Sequence, residues 1–242
     1  MFRISLPKIV VFLAPLLVAG HSNAASYIET FTTSSGSNVG HNHADIGWQA
    51  HIGTTATDNG SNTGNSGGFV VVPADYAAKA NTSPIGLAWT SEFSPFNRTE
   101  NEISTLSFIS NNNNTAGTMR FAVRIENTWF VTSQTFTHAG GGGQSSWATK
   151  GELEQFNFTN QASAWRTLDF AVDSTLAVGS AISSDLPAGN LTAAGILIEG
   201  NTDIVRYDDF QIIQIPEPAA PLLGGLGLIS ASLFRRRNKA SL

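Results

Sequence analysis

Thr118-Met119-Arg120-Phe121-Ala122-Val123-Arg124-Ile125-Glu126 alternates in polarity with a period of two. Met119, Phe121, Val123 and Ile125 fall on one face, and Thr118, Arg120, Arg124 and Glu126 on the other. Side chains of a strand point alternately to its two faces, so this pattern predicts a half-buried antiparallel strand with a solvated outer face. The short connection Glu126-Asn127-Thr128 leads into Trp129–Phe136, the natural hairpin mate.

Similar short runs, separated by turn residues, occur on both sides of this hairpin. Before it stand Ser26–Thr32, Ile46–His51, Gly68–Val72, Ile85–Glu92 and Ile103–Ser110. After it stand Leu153–Phe158, Trp165–Ala171, Ala193–Glu199 and Ile204–Ile213. Apolar residues at helical spacing are absent outside the two ends of the chain. The body is therefore expected to be all-β: an antiparallel two-sheet β-sandwich of jelly-roll type. The segments Thr54–Gly67, Asn111–Gly117 and Gly140–Gly143 read as loops, because Gly, Asn, Ser and Thr dominate them.

The two ends are of different character. Met1–Ala24 begins with Arg3 and Lys8, continues through the apolar run Ile9–Ala19 and closes on Ser22-Asn23-Ala24. A basic start, a short apolar core and small residues before the cut make a signal peptide, with signal peptidase cleaving after Ala24. The run is too short for a spanning helix, which needs about 20 apolar residues. The last block, 215–242, opens with Pro216-Glu217-Pro218, passes through an apolar stretch from Ala219 to Phe234 and ends on Arg235-Arg236-Arg237 and five further residues. The prolines fix φ and keep Glu217 extended. The apolar stretch favours lipid, and the arginines favour the cytoplasmic face. Gly224, Gly225 and Gly227 make it a poor permanent anchor.

In that order the three blocks resemble the PEP-CTERM sorting signal of Gram-negative bacteria. The resemblance covers about the last tenth of the chain. It implies recognition by an exosortase in the inner membrane, removal of the tail, and delivery to the cell surface or extracellular matrix. Pro216, Glu217, Pro218 and Arg235–Arg237 are then the processing residues. A sandwich body, 25–214, lies between signal and tail, with short apolar helices expected only in those two segments.

Composition narrows what the body does. The chain has no cysteine, which excludes disulfide staples, thiol catalysis and cysteine-held zinc. Of its 13 Lys and Arg, six (Arg3, Lys8, Arg235, Arg236, Arg237 and Lys239) lie in the ends, leaving 7 in the body. Of its 18 acidic residues only Glu217 lies outside, leaving 17 and a body charge near −10. Nucleic-acid binding requires the opposite sign.

Enzyme signatures are poor: the sequence has no Gly-x-Ser-x-Gly, no His-Glu-x-x-His and no phosphate loop. Glu152 and Glu154 share a strand face and resemble the paired carboxylates of some jelly-roll glycosidases. His41, His43, Asp45 and His51 offer imidazoles and a carboxylate at close spacing, a possible metal set or a solvated loop. Near the ends of the body, Glu29 follows Tyr27-Ile28, and Asp208-Asp209 follows Arg206-Tyr207. Apolar parity switches from Val205 and Tyr207 to Phe210 and Ile212, which implies a bulge at Asp208-Asp209. This arrangement resembles jelly-roll carbohydrate-binding modules that hold a structural calcium, and it implies Glu29 with Asp208 or Asp209 as ligands. Among the five tryptophans, Trp147 and Trp129 are the candidate sugar platforms, whereas strand-starting Trp129 and Trp165 also suit a core or rim.

The whole indicates an exported, non-catalytic surface or matrix protein that binds or structures extracellular polysaccharide. The rival is a jelly-roll glycoside hydrolase or lyase, which requires two facing carboxylates about 5–10 Å apart.

Overall fold

The alternating segment forms strand β8 (Thr118–Ile125) in a computed structural model of the chain. The structure describes residues 26–31, 43–52, 56–58, 69–72, 76–79, 85–96, 98, 101–112, 117–137, 151–171, 175–200 and 205–216. Ile125 of β8 pairs with Thr128 of β9 (Thr128–Thr132), leaving a two-residue turn at Glu126-Asn127. Glu126 takes φ 52°, in the left-handed region. Its backbone N–H donates to Asn190 O at 2.9 Å, and its Oε1 accepts the Asn190 N–H at 2.6 Å, which offsets the local strain.

Two antiparallel sheets make a sandwich. The larger has eight strands. They run in the order β12 (Thr175–Ala181), β11 (Trp165–Ala171), β9, β8, β13 (Leu191–Glu199), β6 (Ile85–Thr90), β2 (Trp48–Ile52) and β3 (Ala56–Asp58). The smaller follows the order β10 (Glu152–Asn157), β7 (Asn101–Asn112), β14 (Val205–Pro216), β5 (Tyr76–Lys79) and β4 (Phe69–Val72), with β1 (Ser26–Glu29) also paired to β14. Every run expected from the sequence contains a strand. Three strands were not expected: β3 inside the Thr54–Gly67 segment, and β5 and β12, whose alanines and glycine are weak strand formers.

Between the sheets lies the main core. Met119, Phe121 and Val123 are fully buried and Ile125 is 2% exposed, as the alternation requires. They pack with Phe108, Phe136, Phe156 and Phe210, whose rings meet Phe121 at centroid separations of 4.9–6.4 Å. Trp48 and Trp165 are also fully buried, so both are core residues.

The outer face of the larger sheet departs from expectation. Instead of facing water, it carries a second apolar cluster: Leu87, Trp89, Ala122, Trp129, Val131, Leu168, Leu176, Ala193 and Leu197. The sheet curls until edge strand β12 approaches β6. Phe170 of β11 thereby meets His51, Trp89 and Trp129, at 5.2, 5.1 and 5.7 Å between ring centroids. The arginines of β8 are spent on protein partners. Arg120 donates to Glu199 at 2.8 Å and to the carbonyls of Thr132 and Ser133. Arg124 donates to Thr192 Oγ1 and lies 5.8 Å above the Trp129 ring. Gly195 is a packing requirement here, since a Cβ would come within 2.0 Å of Ala88 O and 2.6 Å of Trp89 Cα.

The described elements belong to one unit spanning Ala24–Glu217. The signal helix, Ala24 itself, the apolar tail helix, Glu217, Pro218 and Arg235–Arg237 lie outside the described residues.

Candidate functional site

At one end of the sandwich, three loops and the start of β7 enclose a cleft of about 330 Å³ lined by Arg98, Ile103, Phe158, Thr159, Asn160, Gln161 and Asp185. The loops come from distant parts of the chain and are tied to one another. Arg98 Nη1 donates to Pro187 O at 2.8 Å, and Nη2 donates to Asn160 Oδ1. The Leu186 N–H donates to Asn160 O at 2.8 Å, and the Ala162 N–H donates to Asp185 Oδ1 at 3.0 Å. Trp165, anchored in the core, donates from Nε1 to Thr159 O at 2.6 Å. Gly189 completes the end, because a Cβ there would lie 2.7 Å from Glu126 Cγ.

Arg98 sits 5.6 Å above the Phe158 ring, and Phe158 packs on Trp165 at 5.3 Å. Partial burial pulls the Arg98 guanidinium below its ordinary pKa, yet an arginine stays charged at neutral pH. Asn160, Gln161 and Asp185 are exposed at the mouth. The walls therefore offer a planar guanidinium, two amides, a hydroxyl and one carboxylate, held in place by backbone bonds. Such groups suit the hydroxyls of a sugar. Among the described lining residues Asp185 is the single carboxylate, so they do not supply an acid–base pair.

The candidate residues from the sequence lie elsewhere. Trp129 is 8% exposed and enclosed by Trp89, Phe170 and the Arg124 guanidinium, so it has no open face for stacking. Trp147 lies outside the described residues. Glu152 and Glu154 share one face of β10, as expected, and Glu154 Oε1 accepts the Ser110 hydroxyl at 2.8 Å. His43 and His51 point to opposite faces of the larger sheet. His43 sits in the main core, 2.5 Å from Tyr207 Oη, and His51 packs on Phe170 outside it. Those two histidines therefore cannot share one ion, and among the described residues no cluster of three His, Asp or Glu could hold a metal.

The bulge expected at Asp208-Asp209 is present. Asp208 pairs with Ile109 and Gln211 with Ser107, so Asp209 and Phe210 together oppose Phe108. Asp209 has φ 47°, and its N–H donates to Asp208 Oδ1 at 2.8 Å. Glu29 pairs with Phe210, one residue past Asp209. Strand alternation from buried Tyr207 sends Asp208 outward, while Glu29 shares a face with Phe210. At the bulge the two aspartates are both half-buried, so Asp208 and Asp209 both remain candidates beside Glu29. Glu29 Oε1 accepts the Phe31 N–H at 2.7 Å, and Oε2 accepts the Tyr27 hydroxyl at 3.4 Å. Burial raises the Glu29 pKa against these bonds, and burial with the Glu29 charge pushes Tyr27 up to about 12.

Sequence reasoning missed Arg98, Asn160, Gln161 and Asp185. Each sits in an ordinary polar loop, and only the meeting of three loops makes a site. The one local signal is Trp165, a core tryptophan whose N–H requires a partner and finds it in Thr159.

No family model matches the chain, and no curated protein is significantly similar to it. Among the solved structures that match are two weakly similar ones. One is a family 11 carbohydrate-binding module from Clostridium thermocellum in complex with a β-1,3-1,4-mixed-linked tetrasaccharide, at 14% identity and TM-score 0.35, covering 81% of this chain and 91% of that one. The other is an exo-β-agarase, at 12% identity and TM-score 0.38, covering 78% of this chain and 25% of the agarase.

Proposed function

We propose that the chain is an exported, surface- or matrix-associated protein whose sandwich body binds extracellular polysaccharide in the end cleft and does no chemistry of its own. The observation that carries this reading is the cleft itself: a pre-tied set of guanidinium, amide, hydroxyl and single carboxylate groups in about 330 Å³. Fixed polar groups bind without an ordering cost at the moment of contact. Signal peptidase removes Met1–Ala24, and an exosortase-type enzyme in the inner membrane recognises Pro216-Glu217-Pro218 and releases the body. The three terminal arginines hold the tail at the cytoplasmic face until then.

Two experiments test the halves of this reading. Glu217→Ala and an Arg235–Arg237 alanine variant, expressed in a host carrying the exosortase, should stay uncut and mislocalised. If both mature like wild type, the tail is not a sorting signal. The secreted body should co-sediment with exopolysaccharide, and a Gln161→Ala, Asp185→Ala double variant should lose that binding while folding normally.

A further inference from the structure

Both ends of the body meet at the pole that holds the cleft. Ser26, two residues beyond the cut at Ala24, pairs with Ile213 of β14. At the other end β14 continues to Pro216, the first residue of the Pro-Glu-Pro block, with no linker between sheet and tail. Pro216 pairs with Asn101, and Gln214 with Ile103. Ile103 lines the cleft, and Arg98 precedes Asn101 by three residues. The Phe158 N–H donates to Ser104 O at 2.9 Å, and Ser104 Oγ donates to Ile213 O at 3.1 Å, so the cleft wall is bonded to the strand that leads into the tail.

The tether is short. Glu217 and Pro218 alone separate Pro216 from the apolar stretch that starts at Ala219. Three peptide steps span at most about 11 Å. A chain held by its tail therefore keeps Pro216, at the cleft pole, within about 11 Å of the start of the apolar stretch.

We infer that the tail silences the cleft: in the membrane-held precursor the lipid surface denies a polymer access to it, and removal of the tail turns polysaccharide binding on. This rests on the binding reading above and adds its regulation. Binding would be confined to protein that has been processed, so the precursor does not capture polymer at the inner membrane.

The test uses the full chain in vesicles of phosphatidylethanolamine and phosphatidylglycerol. The probe is fluorescently labelled exopolysaccharide from the medium of the producing cells. A second version carries 20 Gly and Ser residues with a protease site between Pro218 and Ala219, which adds a reach of about 25 Å. The long-linker vesicles should bind several-fold more polymer per chain than wild-type vesicles, because the added reach lifts the cleft from the lipid surface. Cutting the linker should release bodies that bind as well as the long-linker form. Equal binding by wild-type and long-linker vesicles would overturn the inference while leaving polysaccharide binding intact. Released bodies that bind nothing would overturn the binding reading, and the inference with it.

Discussion

Acid should destabilise this body through one core histidine. His43 is 1% exposed, in the 3-10 turn His43–Ile46, with Tyr207 Oη 2.5 Å from Nε2 and the Phe31 ring 6.4 Å away. Burial lowers its pKa from 6.5 to about 3. Between those values the unfolded chain takes up a proton that the folded chain refuses, so stability falls as pH falls. The contribution is fully present above pH 6.5 and declines down to about pH 3. At about 1.4 kcal/mol per pH unit, acidification to pH 5 costs about 2 kcal/mol. Glu29, whose pKa is raised, acts in the opposite sense: its contribution is present in acid and is lost as pH rises through its folded pKa. Urea unfolding of wild type and His43→Phe at pH 7 and pH 5 separates the two, since Glu29 is common to both. The variant should start about 1 kcal/mol weaker, having lost the bond to Tyr207, but it should lose about 2 kcal/mol less than wild type on acidification. Equal losses in the two proteins would refute the assignment to His43.

Trp129→Ala should cost about 3–5 kcal/mol by emptying the second core, measured by urea unfolding. Its folded fraction should bind polysaccharide normally, and loss of binding with the fold intact would restore Trp129 as a platform. Gly195→Ala should lower the melting temperature, with a cost of about 1–3 kcal/mol or more, because the new methyl meets backbone on β6. An unchanged melt would contradict the close approach of β6 and β13. A calcium held by Glu29 with Asp208 or Asp209 predicts that a chelator lowers the melting temperature and that Glu29→Gln removes the sensitivity. A melt indifferent to chelator dismisses the ion.

The legible parts of the fold were those where one strand face is buried. Met119, Phe121, Val123 and Ile125 announced their strand because a period of two is imposed by a core on one side. The change of parity across Asp208-Asp209 announced a bulge for the same reason. The second core was hidden, since Arg120 and Arg124 read as a solvated face. Nothing local says that the sheet curls far enough to bring Phe170 over Trp89 and Trp129. Strand β12 was missed because Ala177, Gly179 and Ala181 have little strand preference of their own, and pairing with β11 decides its state. His43 read as part of a polar loop, but it is a core residue hydrogen-bonded to Tyr207. The cleft was illegible for a topological reason. Arg98, Asn160 and Asp185 are far apart in the chain and meet only after the sheets have set the three loops at one end.

The most direct test of the central claim is where the polymer touches the body. Amide hydrogen exchange of the mature protein, with and without bound exopolysaccharide, reads this by segment. The account predicts protection at residues 158–162 and 183–187, which wall the cleft, with little change at 85–90, 129–132 and 165–178 around the second core. Protection confined to the second-core strands, with the cleft loops unaffected, would contradict it.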